Sequence, residues 1–148
     1  MIPHDLENKS LHDRFTHLLK TISSARFLSM QGIGNELPFF ICPFPPEEKL
    51  EMDSAVDSLE MQLKQRSVEA VRINLYDLCV TLLQDRPRLW PLLMERESEM
   101  PKEDLFEQLQ KMLDNEDHLA PAIIRQLEGK QYDVVFIEGV GEVFPYVR

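Results

Sequence analysis

A chain of 148 residues, 43% apolar and 28% charged, has the length for one domain with a real core and the composition of an ordinary globular protein. Its net charge of −10, from 26 acidic and 16 basic residues, argues against direct nucleic-acid binding, which depends on Lys and Arg neutralising phosphates. No apolar run approaches the ~20 residues that span a bilayer, and no basic stretch leads into an apolar one at the N-terminus. The expectation is a cytoplasmic protein.

Leu11, Phe15, Leu18, Leu19 and Ile22 fall at helical spacing and predict a first helix, with Asp5 or Ser10 as its cap. Gly32 and Gly34 then permit a tight turn. Phe39, Phe40, Ile41 and Cys42 form a continuous apolar run, which predicts a short strand covered on both faces. Pro43, Pro45 and Pro46 end it and open a helix whose first turns carry Glu47, Glu48, Glu51 and Asp53 and whose end carries Lys64 and Arg66, in accord with the macrodipole. Met52, Val56, Leu59 and Leu63 are the stripe of that helix. A second strand, Ala70 to Leu75, follows, and strand–helix–strand reads as a βαβ unit.

Asn74 and Asp77 are placed to cap the next helix, striped by Leu75, Leu78, Cys79, Leu82 and Leu83. Pro87, Pro91 and Pro101 cut the chain beyond it into short helical pieces. Leu105, Leu109, Met112 and Leu113 mark one helix, and Leu119, Ile123, Ile124 and Leu127 another that stops at Gly129. These pieces share no period, so a solenoid is not supported. A third strand, Val134 to Ile137, reads as buried on both faces and leads into Glu138-Gly139-Val140-Gly141, after which Phe144-Pro145-Tyr146 reads as the start of a further helix.

Each candidate for chemistry has a plainer counterpart. Gly139-Val140-Gly141 after a strand invites a dinucleotide-binding reading, but position 144 is Phe where the fingerprint wants a third glycine. A turn feeding a helix explains it as well. None of the five glycines belongs to a GxxxxGK[ST] loop. Glu138 stands where α/β enzymes place functional groups, and with Glu142, Asn35 and Glu36 it makes the first-choice polar cluster; a carboxylate binding backbone amides is the structural alternative. His4, His12, His17 and His118 have neither HExxH spacing nor cysteine companions, so no metal is expected. Cys42 and Cys79 sit in apolar segments and read as reduced thiols, and no GxSxG elbow is present. Arg88, Leu89, Trp90, Leu92, Leu93 and Met94 gather arginine and large apolar character between prolines, the composition of interface hot spots, with core packing of the only tryptophan as the alternative.

Three stretches carry a resemblance to a known family: Arg26 to Glu51, with its Gly-x-Gly-Asn turn, aromatic run and proline corner; Ile73 to Arg86; and Tyr132 to Arg148. They resemble, in the same order, segments of the BrxB family, small proteins encoded in BREX (bacteriophage exclusion) defence islands of bacteria. With the N-terminal helix they cover nearly the whole chain. The family has no assigned chemistry. The resemblance implies work beside the other BREX proteins, which include an adenine-specific DNA methyltransferase, a large ATPase and an alkaline-phosphatase-like protein. Because proteins of the family extend further, it also implies an N-terminal portion of a longer protein, and apolar surface left uncovered in it leads us to expect a homodimer.

The reading of residues and resemblance together is one α/β domain over 1–148: a small parallel sheet flanked by helices, with a helical insertion between the second and third strands. The expected function is a non-catalytic interaction component of a bacterial phage-defence system that docks with other BREX proteins, foremost the alkaline-phosphatase-like component. Arg88, Leu89 and Trp90 are the candidate partner-binding residues. The alternative is a nucleotide-binding enzyme or sensor using Asn35, Glu36, Glu138, Gly139, Gly141 and Glu142 at the strand ends. No cofactor, metal, nucleic acid or membrane enters the favoured reading.

Overall fold

The computed structural model describes residues 9–29 and 39–147. In chain order these form helix α1 (Leu11–Ile22), the short helix α2 (Ala25–Leu28), a 3-10 turn at Pro46–Glu48, helix α3 (Lys49–Gln65) and strand β1 (Ala70–Asn74). Helices α4 (Leu75–Gln84), α5 (Leu89–Arg96) and α6 (Lys102–Met112) follow, then a π turn at Asn115–Leu119, helix α7 (Ala120–Leu127), strand β2 (Val134–Glu138) and the short helix α8 (Val140–Val143). β1 and β2 pair as a small parallel sheet, so the class is α/β, and α4 to α7 are the helical insertion between its strands. The chain divides into two compact units, one of Met1–Ala70 with Gln131–Val134 and one of Val71–Lys130 with Val135–Arg148.

The expected strand at Phe39 to Cys42 is not formed; these residues are neither strand nor helix. Phe39 and Ile41 are 64% and 62% exposed, while Phe40 stacks on Phe27 with ring centroids 5.7 Å apart and Cys42 is half-buried. The run is therefore covered on one side only. Prolines 43, 45 and 46 follow directly and have no N–H to give to a ladder. With that strand gone, α3 is not the crossover of a βαβ unit, and the strands expected second and third are the two that pair.

In the first unit α1 packs against α3, and Leu19, Ile22, Met52, Leu59 and Leu63 are buried. Ser10 caps α1 by accepting from the Asp13 N–H at 3.2 Å. Buried Arg14 reaches the proline corner, where its Nη2 donates to the Pro43 carbonyl and lies 3.2 Å from Cys42 Sγ. The end of α3 is closed by Ser67 in a left-handed conformation, φ 59°. The Ser67 N–H donates to the Lys64 carbonyl at 3.0 Å and the Val68 N–H to the Leu63 carbonyl at 3.0 Å. Both Leu63 and Val68 are buried, which supplies the apolar contact that accompanies this kind of helix stop.

The second unit is built on an apolar cluster in which Ile73, Leu75, Leu78, Met112, Leu119 and Val143 are buried, with Trp90 partly buried against it. Each such leucine or isoleucine contributes about 1.5–3 kcal/mol relative to exposure. Cys79 lies in the same cluster, and burial pushes its thiol pKa up. Arg86 ties this unit together by donating from Nη2 to the Met112 carbonyl at 2.9 Å.

Two further expectations need correction here. β2 is not covered on both faces, since Val134 is buried but Ile137 is 49% exposed. The sheet has two strands, so the outward residues of β2 have less to pack against than a central strand would. The final helix begins at Val140 rather than Phe144, because Gly139 adopts φ +73° and turns the chain at once. Phe144 to Tyr146 form a turn in which Tyr146 packs on Phe106 and the Pro145 carbonyl accepts from the Gln110 amide at 3.0 Å.

Candidate functional site at the strand ends

The second unit contains the C-terminal ends of both strands, where parallel α/β sheets bind ligands. β1 ends at Asn74, which leads straight into α4, and β2 ends at Glu138, which leads through Gly139 into α8. α4 and α8 pack against each other. Glu138, Gly139, Gly141 and Glu142, near neighbours in the chain, lie here together with two residues that sequence reasoning did not place there, Arg72 and Asn74.

Arg72 and Glu138 form a two-pronged ion pair, with Nε donating to Oε1 at 2.6 Å and Nη2 to Oε2 at 3.1 Å. The two side chains are 29% and 22% exposed. Such a fork engages both carboxylate oxygens and holds the side chain in one orientation. Glu138 is thus a strand-end carboxylate held by an arginine side chain, an arrangement different from the carboxylate on backbone amides raised above.

Asn74 does the capping at α4. Its Oδ1 accepts from the N–H of Tyr76 at 2.9 Å and of Asp77 at 3.2 Å. These are the first-turn donors that a phosphate would use at a helix start, and a side chain of the same chain already occupies them. Gly139 sits directly against this cap. A Cβ added there would lie 2.9 Å from Asn74 Oδ1 and 3.3 Å from the Tyr76 backbone nitrogen. Its glycine requirement therefore comes from packing as well as from φ.

Gly141 has open space around it, with nothing within 4 Å of an added Cβ, and Glu142 is exposed on α8. Asn35 and Glu36, the other members of the expected cluster, lie outside the described residues. Among the described residues no group of three or more His, Cys, Asp or Glu side chains is arranged to hold a metal ion. Lys9, Asp13, Thr16, His17 and Lys20 border an open depression of the first unit, four of them on α1.

The candidate partner-binding residues lie on α5 and its cap. Arg88 and Leu89 are exposed, whereas Trp90 is half-buried against the core, so the tryptophan takes the packing role and its neighbours face water. Arg72 could have been found by asking which side chain of the pairing strand meets Glu138. Asn74 was legible as a cap but not as the surface on which Gly139 rests.

Comparisons with known proteins place the chain in a family. The family model described as "BREX protein BrxB" matches residues 71–148, more than half of the chain. A protein from Bacillus cereus (strain H3081.97) named "BREX protein BrxB" is 25% identical over 144 residues, covering 95% of this chain and 73% of the relative. One of the same name from Escherichia coli O9:H4 (strain HS) is 27% identical over 138 residues, covering 93% of this chain and 68% of the relative. No solved structure matches. On the family match and these two relatives, the chain belongs to the BrxB family.

Proposed function

We propose that this BrxB-family chain is a non-catalytic interaction component of a BREX phage-defence system, working by docking with other BREX proteins. Membership of BREX follows from the family; docking and the absence of catalysis are our reading. The single observation that carries it is the state of the strand ends. The carboxylate in the position α/β enzymes use is held by Arg72, the helix-start donors are taken by Asn74, and Gly139 is seated on that cap. What remains for work is surface, and the exposed face of α5 presents arginine and leucine together. The net charge of −10 supports a protein partner over a nucleic-acid backbone. Among BREX proteins we favour the alkaline-phosphatase-like component, on family association.

Co-purification tests this. The tagged full-length protein, expressed with its co-encoded BREX proteins, should retain at least one of them stoichiometrically. In parallel it should give no hydrolysis of ATP or GTP and no thermal shift with ATP, GTP or NAD. Saturable nucleotide binding lost in Gly141→Val, with no BREX protein retained, would replace docking by the nucleotide-binding reading.

A further inference from the structure

Among the described residues, α5 turns a mixed cationic and apolar face to solvent. Leu93 is buried and Trp90 half-buried, which fixes the inward side of the helix. The outward side carries Arg88, Leu92 and Arg96 at four-residue intervals, with Leu89 beside them. Leu89 and Leu92 are 51% and 43% exposed. Neither Arg88 nor Arg96 makes an ion pair among the described residues, although the chain holds 26 carboxylate side chains. The third arginine of the segment, Arg86, is used internally: its guanidinium binds the Met112 carbonyl, and its own carbonyl accepts from the N–H groups of Leu89 and Trp90. The start of the α5 backbone is therefore anchored before any partner arrives.

The geometry points to α5 as the docking face for an acidic amphipathic segment of a partner protein. This inference rests on the docking reading above and names the surface and the chemistry it takes. Arg88 and Arg96 are eight residues apart, about 12 Å along the helix axis. The matching segment presents two carboxylates at that separation and an apolar side chain between them, laid across Leu89 and Leu92. Charge fixes register and speeds encounter, while apolar contact holds the complex. Exposed Glu95, Glu97 and Glu99 lie at and just beyond the C-terminal end of α5 and disfavour a carboxylate on their side.

The test uses the BREX protein retained in the co-purification as immobilised probe, titrated with the full-length chain. Arg88→Glu/Arg96→Glu and Leu89→Ala/Leu92→Ala should each weaken Kd at least tenfold. Met61→Ala, an exposed apolar side chain of α3, should leave it within twofold. The salt dependence of the wild-type complex should shrink in the arginine variant. If circular dichroism shows that variant misfolded, Arg88→Gln/Arg96→Gln takes its place, with the same expected loss. Unchanged affinity in both α5 variants overturns the surface assignment and leaves docking standing. Failure of every co-encoded BREX protein to bind removes docking and the assignment with it. Self-association, or retardation of duplex DNA, that disappears in the arginine variant would identify a second copy or a nucleic acid as the occupant, and either overturns the acidic-partner assignment.

Discussion

Arg72 and Glu138 face each other from the two strands, 66 positions apart in sequence, and share a two-pronged ion pair whose shorter bond is 2.6 Å. The pair joins the strand ends chemically as the backbone ladder joins them structurally. Because both side chains are partly exposed, its worth is modest, about 1 kcal/mol of coupling. A double-mutant cycle with Arg72→Ala and Glu138→Ala, read by urea melts, should return that coupling. Additive single mutants would show that the pair is ornamental.

Gly129 and Gly139 both adopt positive φ, +72° and +73°, but only Gly139 has a neighbour where a Cβ would go. Gly129→Ala should cost about 1 kcal/mol, the price of a left-handed conformation for a residue with a side chain. Gly139→Ala should cost roughly 2–3 kcal/mol, because the contact with Asn74 also disturbs the α4 cap. Gly141→Ala, with free space in α8 and no special φ, should be neutral or slightly stabilising. Equal losses at 129 and 139 would contradict the packing role assigned to Gly139.

Ser67 closes α3 at φ 59°, a conformation that glycine adopts without strain. Ser67→Gly should raise stability by about 0.5–1 kcal/mol, the relief of strain being partly offset by a freer unfolded chain. Denaturant midpoints of the two proteins measure this directly, and a lower midpoint in the variant would mean that Ser67 does more than end the helix.

Burial in the second unit's core pushes the Cys79 thiol up, so the unfolded chain loses this proton at lower pH than the folded one. Folded protein then binds more protons than unfolded, and stability falls as pH rises through the thiol range, ~8.5 in the unfolded chain, toward the raised folded value. The melting temperature of the wild type should drop more steeply across that range than that of Cys79→Ala. Parallel pH profiles would assign the alkaline loss to other groups.

These cases also show what sequence could and could not supply. Ser10 and Asn74 were legible as caps because capping is local, and the helical stripes of α1, α3 and α4 follow from spacing alone. The pairing strands, expected at Ala70 to Leu75 and Val134 to Ile137, form at Ala70–Asn74 and Val134–Glu138, the latter legible from a short apolar run. Phe39 to Cys42 gave the same signal without forming a strand, since an apolar run records what the residues are and not whether a neighbouring strand exists to pair with. Ile124 and Ile137 read as core and are 59% and 49% exposed, for burial depends on elements elsewhere in the chain. At the strand ends, the Gly139 turn was visible, but Arg72 as the partner of Glu138 and Asn74 as the seat of Gly139 are long-range facts that no local pattern encodes.

Calorimetric titration of the full-length protein with the purified alkaline-phosphatase-like BREX protein tests the central claim most directly. The account predicts saturable binding with a negative heat-capacity change, the mark of apolar surface leaving water on association. Absence of binding to that protein and to every other co-encoded BREX component, alongside saturable heat with ATP, GTP or NAD, would contradict it.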